Sequence, residues 1–519
     1  MTNLGIEPIY LFLTIIIYFL LLVGISWYVN RKNQNNENNF FAASTKSPWY
    51  LIAFGTLGGS LSGVTFVSVP GNVSTSGVNE QFAYLQIVMG YILGYAAIAW
   101  VLLPIYYRMN LVSIYTYLED RFGRFTYKTG SSFFLLSRSI GTAFRLFLTT
   151  MVLHTFIFSA FGIPFWATVA GILILIYIYT YKGGIQTIVW TDAIQTTFML
   201  GSLIFAVYTL CNVLEIDFNA ASIWASIEQA DMGQIFYFEN GWSDPNNFFK
   251  QFFSGAFITI VMTGLDQDMM QKNLTCRSLK DAQKNVMVFS VVVFFVNFIF
   301  LVLGGLLAIY AQEINLQVAP DKLFPAIALE YFTPIGGLMF IIGLIAAAYA
   351  STDSALTALT TAFCIDILGF EAKNTNASAV AQASGEALNE KTKTELPFPK
   401  KERNTATLRK WVHVGFVLFV FVQILAFWYI NDSSVINALF TLAGYTYGPL
   451  LGLYSFGIFT KWQVKDKWVP LVCILSPVLT YVLNLNSEAW FWGYKFSFEL
   501  LIINGLITFL GLLLIRQKE

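Results

Sequence analysis

Long apolar runs alternate with short polar segments along this chain, thirteen times over. The runs lie near 8–29, 49–77, 82–107, 127–160, 164–182, 187–213, 250–272, 284–311, 334–367, 409–430, 436–459, 467–485 and 497–516. Each is long enough, at roughly twenty residues, to cross the hydrocarbon core of a bilayer as an α-helix. The connecting segments carry their charge unevenly. Arg31, Lys32 and Lys46 follow the first run, and Arg108, Arg121 and Arg124 follow the third. Arg277 and Lys280 follow the seventh, Lys373, Lys391, Lys393, Lys400, Lys401 and Arg403 the ninth, and Lys461 and Lys465 the eleventh. The alternate segments are poor in Lys and Arg, and between the sixth and seventh runs Glu215, Asp217, Glu228, Asp231, Glu239 and Asp244 accumulate. With the basic segments on the cytoplasmic side, the N-terminus lies outside and the C-terminus inside, as an odd number of spans requires. Residues 1–8 hold no Lys or Arg, so the first run reads as a retained helix and not as a signal peptide.

Composition agrees with an integral, multi-pass protein in contact with the lipid bilayer. Apolar residues make up 56% of the chain and charged residues 12%, where a soluble protein carries about a quarter charged. The net charge is zero, which implies no nucleic-acid partner, and no obligate protein partner is indicated. Cys211, Cys276, Cys364 and Cys473 lie far apart in or beside apolar runs and suit small buried hydrophobes. The acidic 214–249 segment is expected to be extracellular and partly helical, and the 371–408 segment to be a flexible cytoplasmic linker. There is no phosphate-binding glycine loop and no His/Cys metal spacing, and His154 and His413 suit structural or interfacial roles. No enzyme is expected.

Polar residues inside the runs carry the chemistry. The ninth run contains Ser351-Thr352-Asp353-Ser354 among alanines and leucines. A carboxylate and three hydroxyls at membrane depth are costly unless they serve something, and hydroxyls beside small residues offer oxygen ligands to a small hard cation. The second run packs Gly55, Gly58, Gly59 and Gly63 with Ser60, Ser62 and Thr65, and Pro70-Gly71 follow. Glycine and proline weaken a helix, and a helix broken at mid-membrane frees carbonyls for cations and helix ends for solute. In the sixth run Asp192 follows the Gly183-Gly184 turn by two to three helical turns. Such a carboxylate holds an ion or joins a salt bridge; the ninth run offers it hydroxyls and no Lys or Arg. The fourth run carries Arg138 and Arg145. A buried arginine either pairs with a protein carboxylate or binds one on a solute by two charge-assisted hydrogen bonds. Arg138 lies two turns nearer the cytoplasm and suits the structural role.

Trp190-Thr-Asp-Ala-Ile-Gln195, Gly264-Leu-Asp-Gln267 with Gln271-Lys272, and Ser351-Thr-Asp-Ser354 together resemble the signatures of the sodium:solute symporter family. The resemblance covers roughly 1–485. It implies an all-α polytopic membrane protein of LeuT-type fold with about thirteen transmembrane helices in one transporter domain, 1–519. Its inverted five-helix repeats would occupy about 49–213 and 250–459, with extra C-terminal helices over 467–516. It also implies a main Na⁺ site from the carbonyls of Gly58, Leu61 and Ala348 and the hydroxyls of Ser351 and Thr352. Residues 348, 351, 352 and 355 share one helix face. A possible second Na⁺ would use Asp192 and Ser354, although Ala355 stands where two-sodium members have a hydroxyl. By the register of the family's sialic acid symporters, Arg145 would hold a solute carboxylate, with Ser60, Ser62, Thr65 and Gln86 as further solute contacts. The implied activity is Na⁺-coupled import of a small organic solute by alternating access in a bacterial inner membrane. A carboxylated sugar such as sialic acid fits Arg145; a neutral sugar, polyol or amino acid is the alternative. A membrane sensor retaining the carrier core would need a soluble output domain, which is not expected here. Concentrative, saturable uptake would exclude a channel.

Overall fold

A computed structural model describes residues 6–32, 49–109, 111, 113–180, 185–239, 241–370, 402–430 and 435–517. Apart from an isolated bridge between Val464 and Arg516, these residues form helices and their connections. In chain order the principal helices are α1 (Pro8–Lys32), α2 (Trp49–Ser60), α3 (Gly63–Asn72), α4 (Tyr84–Arg108), α5 (Thr116–Arg121) and α6 (Arg124–Phe156). They continue as α7 (Phe165–Thr180), α8 (Ile185–Val213), α9 (Ala220–Gln229), α10 (Phe248–Gly264), α11 (Gln267–Leu274) and α12 (Leu279–Glu313). The last are α13 (Pro320–Ala326), α14 (Pro334–Ile367), α15 (Glu402–Ile430), α16 (Val435–Phe459), α17 (Val469–Leu485) and α18 (Leu500–Leu514).

Every apolar run is helical where it is described, yet not all thirteen meet a strict criterion for crossing a membrane. Among the described residues seven helices are long and apolar enough, or up to nine if each of two bent pairs counts as one span. α7 and α18 are short of the required length, and α6 carries Lys128, Arg138 and Arg145 within its apolar sequence. The second run is broken, with α2 and α3 meeting at 60°. Three glycines near the junction weaken the continuous helix, and Ser62, extended at φ −113 and ψ 177, starts α3 afresh. A second break was not expected from the pattern. α10 and α11 meet at 67°, because Asp266 caps α11 by accepting from the backbone N–H groups of Asp268 and Met269.

Residues 371–401, most of the expected linker, lie outside the described residues, as does the Gly183-Gly184 turn. From Glu402 onward the linker expectation fails, because α15 begins there. The acidic segment contains α9, capped by Asn219. His413 packs between Thr180 and Thr360, with ring nitrogens 3.4 and 2.9 Å from their hydroxyls. Phe66 on α3 contacts Phe300, Phe324 and Phe340 at 5.9, 5.3 and 5.8 Å between centroids, fixing the upper half of the broken run against α12, α13 and α14. Large apolar side chains such as Trp166, Ile174, Leu418, Val422, Leu475 and Leu479 remain exposed on α7, α15 and α17. A surface of that kind suits lipid contact.

Candidate functional site

The break between α2 and α3 places three sets of residues side by side. Carbonyls in the last turn of a helix lack an intrahelical donor; at the end of α2 the Leu57 carbonyl still accepts from the Leu61 N–H at 2.9 Å, and Gly58 follows it. Gly58 sits where α2, α8 and α14 meet. A Cβ there would overlap Thr196 Oγ1, lie 3.1 Å from the Asp192 carbonyl oxygen and 3.4 Å from Ala350 Cβ. Only glycine allows that approach. Leu61, Ala348, Ser351 and Thr352 are all buried. The hydroxyls of Ser351 and Thr352 donate to the Ala348 carbonyl at 3.1 and 2.8 Å; such rotatable groups can turn their lone pairs toward a cation. The donor set is therefore neutral oxygen, which suits Na⁺.

Beside it lies a cavity lined by Ser60, Leu61, Ser62, Val64 and Thr65 from the break and by Tyr84, Tyr91 and Tyr95 from one face of α4. Arg138 and Arg145 enter from α6, Thr259, Met262 and Thr263 from α10, Met269 from α11, Asn297 from α12, and Leu439 and Phe440 from α16. Tyr84 stacks on Phe440 at 6.4 Å, and the hydroxyls of Tyr84 and Tyr91 are 3.2 Å apart. The two arginines differ in their partners. Arg138 donates to Asp268 at 2.6 Å and lies 3.4 Å from Asp266, the structural role expected of it. Arg145 makes no ion pair within 4.0 Å among the described residues, and its buried Nε has no hydrogen-bond partner.

Two sequence-based assignments change. Gln86 does not line the cavity. Its Nε2 donates to the carbonyls of Asn246 and Ala83 at 2.9 and 3.3 Å, and its Oε1 accepts from Tyr237 N. The amide is used up in holding the 237–246 connection, whose approach no local pattern reveals. Asp192 and Ser354 do come together, but around an ammonium group. Lys272 Nζ donates to Asp192 Oδ2 at 3.0 Å and to Ser354 Oγ at 2.7 Å. The cation absent from the ninth run is supplied by α11. Ser354 in turn donates to Asp268 at 2.6 Å, so Arg138, Asp266, Asp268, Ser354, Lys272 and Asp192 form one buried network. Asp353 is buried as well, with Oδ1 accepting from the Ser354 N–H. The sequence assigns Asp266, Asp268 and Lys272 no site role beyond the motif; the signal for them is three charges clustered at the end of the seventh apolar run.

The sodium:solute symporter family matches residues 40–383. A sodium/sialic acid symporter of Proteus mirabilis is 25% identical over 508 residues, covering 94% of this chain and 92% of its own. A sodium-coupled monocarboxylate transporter 2 of Bos taurus is 23% identical over 495 residues, covering 90% of this chain and 73% of its own. A solved structure of a Na⁺-coupled sialic acid symporter, substrate-bound and outward-open, is similar at a TM-score of 0.75 and 21% identity, covering 98% of this chain and 99% of that one. The shared fold is that of LeuT-type transporters. The chain is accordingly a multi-pass integral membrane transporter and not an enzyme, and Na⁺ is its coupling ion, not a resident cofactor. A match over most of the chain, together with this shared fold, makes the protein a member of the sodium:solute symporter family, whose members are Na⁺-coupled solute symporters.

Proposed function

We propose that this symporter imports a carboxylate-bearing solute, a sugar acid such as sialic acid, and that Arg145 holds the carboxylate. The carrying observation is the state of Arg145: a guanidinium that lines the cavity and has no anionic partner among the described residues. An uncompensated charge in a low-dielectric site is strongly unfavourable, and a planar guanidinium matches a carboxylate by two parallel hydrogen bonds. Both curated relatives described above are named for carboxylate solutes. Ser60, Ser62 and Thr65 face the same cavity and supply hydroxyls to the rest of the solute. Na⁺ binds at the carbonyls of Gly58, Leu61 and Ala348 and the hydroxyls of Ser351 and Thr352. Thirteen spans with the N-terminus outside, two inverted repeats over 49–213 and 250–459, and a bacterial inner membrane complete the reading. The alternating loop charge supports the orientation, and the paired breaks, one in the first helix of each repeat, support the inverted repeats.

The test is solute binding to purified protein in Na⁺, comparing an acid with its methyl ester. The acid is expected to bind far more tightly. Arg145→Lys is expected to weaken the acid by about 2–5 kcal/mol, roughly 30-fold or more, with little effect on the ester. Equal binding of acid and ester by the unmodified protein would return Arg145 to a structural role and favour a neutral solute.

A further inference from the structure

Na⁺ is not the only cation at the break. Lys272 reaches from α11 to the end of α2, where its ammonium group would lie 3.0 Å from a Cβ on Gly59. Successive glycines thus serve two purposes: Gly58 admits the backbone of α8, and Gly59 leaves room for the lysine head. That head is bound by Asp192 Oδ2 at 3.0 Å and Ser354 Oγ at 2.7 Å, with Asp268 Oδ1 at 3.7 Å. These are the oxygens from which a second Na⁺ site would be built, and Ala355 beside them offers none. Ser354 has one proton and two lone pairs; the proton goes to Asp268 and one lone pair to Lys272. The other carboxylate oxygen, Asp192 Oδ1, has no hydrogen-bond partner among the described residues. A Na⁺ bound there would share a carboxylate with the ammonium group at close range, where like charges repel most strongly.

We propose that Lys272 is a tethered cation that takes the place of a second Na⁺, so that this symporter binds one Na⁺ per cycle. The lysine supplies permanently the charge that Asp192 and Asp268 require, and it leaves only the neutral-oxygen site beside Gly58 to exchange ions with solution. Lys272 is thereby the residue that determines stoichiometry.

The inference rests on the main-site reading above, though not on the identity of the solute, because ion binding is measured without one. Equilibrium binding of radioactive ²²Na⁺ to the purified full-length protein, with K⁺ as the balancing ion, is expected to give one ion per chain and a Hill slope near one. Lys272→Met removes the tethered charge but retains much of its bulk, and is expected to bind a second ion and to titrate more steeply. Lys272→Arg keeps the charge and is expected to stay at one. Should Lys272→Met fail to fold, the Lys272→Met/Asp192→Asn pair removes both charges and is expected to bind one ion. Two ions in the unmodified protein, one in Lys272→Met with unchanged slope, or none in the double variant would each overturn the proposal. No bound Na⁺ in the unmodified protein would overturn the main-site reading and this one with it.

Discussion

Gly58→Ala tests whether the closeness of α2 to α8 sets the Na⁺ affinity. The added methyl would overlap Thr196 Oγ1 and stand 3.1 Å from the Asp192 carbonyl oxygen. Thr196 can rotate away only by giving up its 2.7 Å hydrogen bond to that carbonyl. The carbonyl itself is backbone within α8 and cannot rotate. α2 therefore has to retreat by a few tenths of an ångström, carrying the Gly58 carbonyl with it. Overpacking of this kind costs about 1–3 kcal/mol. If that falls on the ion-bound state, the Na⁺ concentration for half-saturation rises roughly 5- to 150-fold. The assay is a Na⁺ titration of thermal stability in detergent at constant ionic strength, with K⁺ as replacement. Adding Thr196→Ala removes the overlap but leaves the backbone contact, so partial recovery is expected. Gly171→Ala, with nothing within 4 Å of the new methyl, serves as the control that should titrate normally. Gly58→Ala titrating like the unmodified protein would refute the reasoning, since neither the close approach nor this carbonyl would then matter to the ion.

Thr352→Ala removes one hydroxyl ligand and is expected to raise half-saturating Na⁺ by about tenfold, the scale of one charge-assisted contact; an unchanged titration would exclude Thr352 from the site. One Na⁺ carried with one monoanionic solute moves no net charge. Uptake of the acid into proteoliposomes is therefore expected to be the same with and without a K⁺-diffusion potential, and acceleration by an inside-negative potential would require a second cation.

What the sequence made legible is what depends on near neighbours. Apolar runs mark the helices because lipid leaves the backbone no other way to satisfy its hydrogen bonds. The break after Ser60 was readable because Gly58, Gly59 and Gly63 weaken a helix locally. The residues alone marked a hydroxyl-rich break and arginines at membrane depth as unusual; that Ser60, Ser62, Thr65 and Arg145 face one solute site was implied by the resemblance to sialic acid symporters, and the structure places all four on one cavity. Lys272 was missed for the opposite reason. Its partners Asp192 and Ser354 lie 80 and 82 residues away in sequence, and no local pattern brings α11 to them. The place of Gln86 is illegible for the same reason, since the carbonyl of Asn246, 160 residues on, holds its amide away from the cavity. The bend before α11 had a local signal, glycine followed by a capping aspartate, which a continuous apolar pattern obscured.

The arrangement around one helix break also gives coupling a physical form. Two cargoes are coupled only if each changes the stability of the same conformations. In the proposed reading residues 58 to 65 would do this within a single segment. There Gly58 would present its carbonyl to Na⁺; Gly59 makes room for the Lys272 ammonium, and Ser60, Ser62 and Thr65 line the cavity proposed for the solute. Moving α2 against α8 would displace all three at once. Arg138 ties the same cavity to Asp266 and Asp268 at the bend between α10 and α11, and Lys272 ties that bend back to Asp192 on α8. The α10–α11 bend is thus joined to α6 and to α8 by buried ion pairs that are costly to open singly, because each opening leaves a charge without its partner. On that reading a bound Na⁺ would hold α2 against α14 from one side while a bound carboxylate would compensate Arg145 on the other. Each cargo would then stabilise the arrangement of the break that the other needs, without direct contact between them.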